Sequence, residues 1–216
     1  MGIVIPDGGT IGSASDTDAI SIGSDGNVTL SQTNPTLTLG SNARLPQGSI
    51  ANVHCSTVTA TPTDMNNNDW SHIPAGSSVS YTPPIGTRYV IYQYACAFDN
   101  KDSRSIISFR LELDSEAGPH EMGIDTDATN ASFSGMLFFS GVITLSSITS
   151  DFSGHSGGHN WQTNAGGTSA FSASTLRLAC SPYNSDYELT LHRIENAGAS
   201  RSNVTCNPTT TIYSVM

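Results

Sequence analysis

Charge is the first thing this sequence lacks. Only 12% of its 216 residues are Asp, Glu, Lys or Arg, about half the usual share. Basic residues are scarcest: there are eight, Lys101 is the single lysine, and against 18 acidic residues they leave a formal charge of −10. A phosphate-binding surface needs clustered Lys and Arg. No such cluster exists, so nucleic-acid partners are excluded. A basic amphipathic helix lying on a membrane is excluded on the same ground. No apolar run approaches the ~20 residues of a membrane-spanning helix, so membrane insertion is not expected. The opening MGIVIPDGG has neither a charged stretch nor a long apolar one, and no export signal is read there.

Helical patterning is also missing. No dozen residues keep apolar side chains at i, i+3, i+4 and i+7, and Ala, Leu, Glu and Lys never cluster. No aromatic residue precedes Trp70. The four cysteines, Cys55, Cys96, Cys180 and Cys206, are too far apart for metal-site spacing. Each falls in a segment read as a strand. Buried free thiols are therefore favoured over a disulfide, which would need an oxidising compartment.

What the chain has is neutral polarity: 32 Ser, 24 Thr, 20 Gly and 15 Asn. It also has alternation. Residues 88–98 place Val90, Tyr92, Tyr94, Cys96 and Phe98 on one face. Residues 104–114 place Ile107, Phe109, Leu111 and Leu113 on one face, with Ser108, Arg110, Glu112 and Asp114 on the other. That is the signature of a half-buried antiparallel strand. Further strands are expected at 50–59, 79–81, 132–139, 141–148, 171–180, 186–194 and 209–216. Residues 114–130 and 149–169 read as long loops. About nine strands without helices predict an all-β fold, an antiparallel β-sandwich with jelly-roll-like topology.

Residues 1–47 differ from the rest. Short alternations at Ile20, Ile22, Val28 and Leu30 are separated by turn formers such as Asp25-Gly26. One copy has too few large side chains to offset its ordering entropy. Three copies would pool Ile20, Ile22, Val28 and Leu30 into a thin core. The boundary is placed near Leu45-Pro46-Gln47-Gly48, giving a slender N-terminal docking and trimerisation segment (1–47) and a sandwich head (48–216).

Candidate sites are few. His155 and His159 lie in a Gly-rich loop with Asn160 and Trp161. The loop reads as an outward contact surface, together with Tyr183, because a solvent-accessible Trp stacks on sugars or anchors an interface. The bland reading is that Trp161 pins its own loop to the sandwich. A solvated acidic loop is expected around His120, Glu121, Asp125 and Asp127. No GxSxG elbow is present, no metal-ligand spacing stands out, and no catalytic, metal or cofactor site is expected.

The run IPDGGTIGSASDTDAISIGSDGNVTLSQ resembles the N-terminal regions of virion fibre-like proteins of tailed phages, especially those of cyanobacteria and other aquatic bacteria. SSVSYTPPIGTRYVIYQYACAF, YELTLHRIENAG and the closing TTTIYSVM are similar to later strands of the same group. The resemblance implies a homotrimeric, non-enzymatic virion surface protein without cofactor. It implies other virion proteins as partners and host-surface glycan as a further contact. The chain is short for a long tail fibre, and that length also suits a capsid decoration protein. Two alternatives stand beside this expectation: a carbohydrate-binding module acting through Trp161, Asn160 and Tyr183, and, least favoured, an enzyme acting on host polysaccharide.

Overall fold

The computed structural model describes residues 10–13, 16–22, 28–30, 47–65, 69–100, 104–127, 133–148, 152, 159–182, 189–194 and 204–216. The chain divides into two compact units, residues 1–43 and 44–216.

The first unit is an antiparallel meander of β1 (Thr10–Ser13), β2 (Asp16–Ile22) and β3 (Val28–Leu30). All four residues proposed for trimerisation fall in its strands, with Ile20 directly opposite Leu30 and Ile22 opposite Val28. On its other side Ile20 faces Ile11. Apolar residues thus occupy paired positions in the register.

The second unit contains two principal sheets. The larger is built on β7 (Tyr89–Asn100), which pairs along its whole length with β10 (Phe133–Thr144). On its other side β7 pairs first with β15 (Thr209–Val215), which carries β4 (Ile50–Thr57), and then with β12 (Leu189–Leu191), which carries β5 (Thr63–Met65). The smaller sheet runs β6 (Val79–Tyr81), β11 (Ser174–Pro182), β8 (Arg104–Leu113), β9 (Glu116–Asp127). A short ribbon of β13 (Arg193–Ile194) and β14 (Val204–Thr205) completes the unit. All of these pairs are antiparallel. Counting the eight principal strands in chain order, the large sheet reads 1-8-3-6 and the small one 2-7-4-5.

The expected inward faces are the ones buried. Val90, Tyr92, Tyr94, Cys96 and Phe98 of β7 share one core with Ile107, Phe109, Leu111 and Leu113 of β8 and Leu176 and Leu178 of β11. Each such side chain removed from water contributes about 1.5–3 kcal/mol. Polar bonds cross between the sheets: the Tyr81 hydroxyl is 2.8 Å from that of Ser214. Tyr92 donates to the Ser77 carbonyl at 2.6 Å, and Ser77 donates to the Leu178 carbonyl. Tyr94 donates to the Ala75 carbonyl at 3.0 Å. Burial pushes both phenols well above their ordinary value, so these hydroxyls stay protonated donors.

Three expectations are corrected. Residues 114–130 are not a loop through most of their length. Asp114 and Ser115 take positive φ (50° and 73°) and form a two-residue hairpin turn into β9, the mirror-image turn that matches strand twist. Glu121 and Asp127 therefore sit on a strand opposite Arg110 and Arg104. Residues 133–144 form one strand rather than two. The Gly-rich 149–169 segment contains a helix, α1 (Asn160–Asn164), too short to leave a 3.6-residue pattern. The thiols are free as expected, but only Cys96 and Cys180 are buried; Cys55 is exposed and Cys206 half-buried.

Candidate functional site

The segment after the Gly-rich stretch is held by three side chains that sequence reading places on the outside. His159 caps α1, its Nδ1 accepting from the Trp161 amide at 3.1 Å. Trp161 is fully buried. Its indole N–H donates to the Ser172 carbonyl at 2.8 Å, and its ring meets Tyr81 and His159 edge-on, with centroids 6.4 and 5.6 Å away. Asn160 is exposed, and its side chain accepts from the Ser172 amide. The outward-facing role of His159 and Trp161 is therefore corrected, and the alternative reading, in which Trp161 pins its own loop to the sandwich, is the one its burial supports. A large aromatic ring gains most by leaving water, and a buried indole finds a partner for its N–H. His155 and Tyr183 lie outside the described residues.

His159 also joins a Ser–His–Asp cluster that the sequence does not reveal. Its Nε2 lies 3.2 Å from Oδ2 of Asp114 and 3.1 Å from Oγ of Ser174. In a hydrolytic triad the carboxylate and the nucleophile occupy opposite ring nitrogens. Here both occupy Nε2, while Nδ1 is committed as an acceptor to the helix. The neutral ring must then carry its proton on Nε2, so it has no lone pair to take a proton from Ser174. The cluster is a clamp joining the β8–β9 turn, the start of β11 and the start of α1.

Asp114 is the hub of that clamp. Partial burial pushes its carboxyl up. The Thr175 amide, 2.7 Å from Oδ1, with His159 and Ser174, more than offsets this and leaves it below the ordinary carboxylate value.

The outer face of the small sheet carries a second polar array. Glu112, almost wholly buried, accepts from Arg110 (2.7 Å) and, across strands, from Arg177 (2.7 Å). The Arg110 guanidinium lies 4.2 Å over the Trp70 ring. In the large sheet Asp99 is fully buried and accepts from Ser134 (3.0 Å) and from Arg193 Nε (2.9 Å). Sequence alternation puts Glu112 on a solvated face; its burial comes from the two flanking guanidinium groups.

A cleft opens beside β7 among the described residues. It is lined by Arg88, Tyr89, Thr144, Ser146 and Ala165. Gly166, at φ 63°, follows α1 beside the Arg88 side chain. The lining offers a cation, hydroxyls and a part-exposed aromatic ring. Among the described residues no group of three or more His, Cys, Asp or Glu is placed to hold a metal ion.

No family model matches the chain, and no curated protein matches it. Among solved structures it is similar to a chain of "Structure of infectious bursal disease virus Gx strain", with 12% identity and a TM-score of 0.30. The match covers 83% of this chain and 42% of that one, so the chain spans less than half of that neighbour's length.

Proposed function

We propose that this chain is a non-enzymatic virion structural protein, a trimeric surface fibre or capsid decoration protein of a tailed phage. Residues 1–47 dock on the particle and trimerise, and the head, a jelly roll, faces outward. The observation that carries this reading is the strand order, 1-8-3-6 over 2-7-4-5. Two Greek keys folded together would produce that order, an architecture shared by viral capsid and lectin domains. The paired apolar positions Ile20–Leu30 and Ile22–Val28 support the role given to the N-terminal segment, and the resemblance of its sequence to phage fibre-like proteins supplies the virion. The test is copy number and position on purified particles, by mass spectrometry and cryo-electron microscopy. Hundreds of copies at capsid threefold positions mean decoration; a few trimers at the tail mean a receptor-binding fibre. Absence from particles overturns the proposal.

The cleft beside Tyr89 favours a second reading, contact with host glycan. A carbohydrate module acting through Trp161 is not retained, because that ring is buried. Arg88, Tyr89 and the hydroxyls of Thr144 and Ser146 offer instead a cation, a stacking face and hydrogen-bond partners suited to an acidic sugar. Binding to a glycan array that is lost on Arg88→Ala supports it; binding unchanged by that substitution overturns it.

A further inference from the structure

Seven large apolar side chains are exposed among the described residues, and six of them lie on one face. The inward set of β7 is Val90 to Phe98, so its odd-numbered residues 89–95 point outward, while Ala97 and Asp99 on the same side are already buried. Register carries that face outward across the sheet. Phe138 stands opposite Ala95, and Val142 opposite Ile91. Ile91 pairs in turn with Tyr213, and Tyr213 with Val53. Met136 and Phe138, 66% and 57% exposed, form an apolar column on β10; Ile50 and Val53, 56% and 52% exposed, form another on β4. Between the columns lie small or neutral residues such as Gln93, Ala95 and Thr211. From Tyr89 to Ala97 and their partners on β10, β15 and β4, no outward position on this face is charged.

We infer that this outer face of the large sheet is covered by a second copy of the same chain, an occupant that excludes the glycan reading of the cleft, whose Tyr89 and Thr144 lie on this face. The inference rests on the proposed trimer and names the surface that builds the head. Charge and area choose the occupant. The chain carries a formal charge of −10, so copies repel wherever acidic surfaces meet; on this face they approach without opposing like charges. The footprint is also adequate. Four strands about 4.8 Å apart and some nine residues long span roughly 500 Å² before side-chain relief is counted. That is of the order of the ~800 Å² per partner in a standard interface.

Cys55 gives a native probe, because it is exposed on β4 within this face, opposite Thr211. The experiment compares the full chain with Phe138→Glu and, independently, Val53→Glu, at outward positions where the core is untouched. Maleimide labelling of Cys55 is followed by mass spectrometry, with stoichiometry from analytical ultracentrifugation. In the native trimer Cys55 should label at least roughly tenfold more slowly than in either variant, because a thiol must be reachable to react. This readout holds even where residues 1–47 keep the variants trimeric. Ser80→Glu, an exposed position on the small sheet, should leave the protection unchanged. A native trimer whose Cys55 labels as fast as in the variants overturns the surface and leaves the trimer standing. A native chain that sediments as a monomer overturns both.

Discussion

Replacing Trp161 by alanine separates a structural role from a contact role. The indole is fully buried, meets two rings edge-on and donates to the Ser172 carbonyl. Truncating a buried Trp to Ala costs about 3–5 kcal/mol in total, the orphaned Ser172 carbonyl included. We expect a loss of about 4 kcal/mol. For a domain of this size each 1 kcal/mol moves Tm by about 2–4 °C, so Tm should fall by roughly 8–16 °C. Urea unfolding followed by near-ultraviolet circular dichroism measures the same loss through a shifted midpoint. Trp161→Phe keeps an edge-on ring against Tyr81 but loses the N–H, and should cost about half as much. A Trp161→Ala protein within 1 kcal/mol of the parent refutes the assignment and returns Trp161 to the surface.

The other predictions concern polar groups and one glycine. Glu112→Ala strands Arg110 and Arg177 beside a void and should cost roughly 3 kcal/mol in urea unfolding, the low end for a buried pair because both guanidinium groups reach solvent. His192 is fully buried at φ 65°, both ring nitrogens lack a hydrogen-bond partner, and burial holds its pKa below the ordinary 6.5. The unfolded chain then binds the proton more readily, so this contribution to stability is complete above pH 6.5 and is lost as the pH falls through and below it. His192→Asn tolerates the positive φ and should flatten stability between pH 6.5 and 5, a difference read from urea midpoints across that range. A Cβ on Gly118 would come within 2.6 Å of the Phe152 ring and 2.8 Å of the Leu111 carbonyl. Gly118→Ala should therefore cost about 1–3 kcal/mol by thermal unfolding.

Period-two patterning reveals the core because every strand that builds it has one dry face. Tyr92, Tyr94, Ile107, Phe109 and Leu111 are all placed inward by alternation alone, and all are buried. The hairpin at Asp114-Ser115 is not legible because its sequence lacks the Asn-Gly or Asp-Gly pair that announces such a turn. Its positive φ values are stabilised by tertiary contacts instead: Asp114 bonds both main-chain groups of Thr175, 61 residues away. Helix α1 escapes sequence reading for a related reason. Five residues make little more than one turn, and what defines α1 is a histidine cap and a buried indole, neither visible as periodicity. The Ser174–His159–Asp114 clamp joins three distant segments, so only the folded chain brings it together.

The scarcity of charge follows from the same architecture. Three described carboxylates with strong partners each fasten one element to another. Glu112 ties β8 to β11, Asp99 ties β7 to Arg193, and Asp114 fastens the β8–β9 turn to α1. None of the three lies on the outer face of the large sheet between Tyr89 and Ala97. A face meant for solvent in a protein of net charge −10 has no reason to exclude charge from four adjacent strands while exposing Met136, Phe138 and Val53. Exposed apolar patches of this extent mark interaction surfaces, and a row of neutral side chains permits close approach between identical acidic bodies. The Ser- and Thr-rich composition serves both sides of that arrangement. Thr209 and Thr211 suit the outward pleat of a strand without adding charge, and Thr210 and Ser214 satisfy their hydroxyls inward against Gly76 and Tyr81.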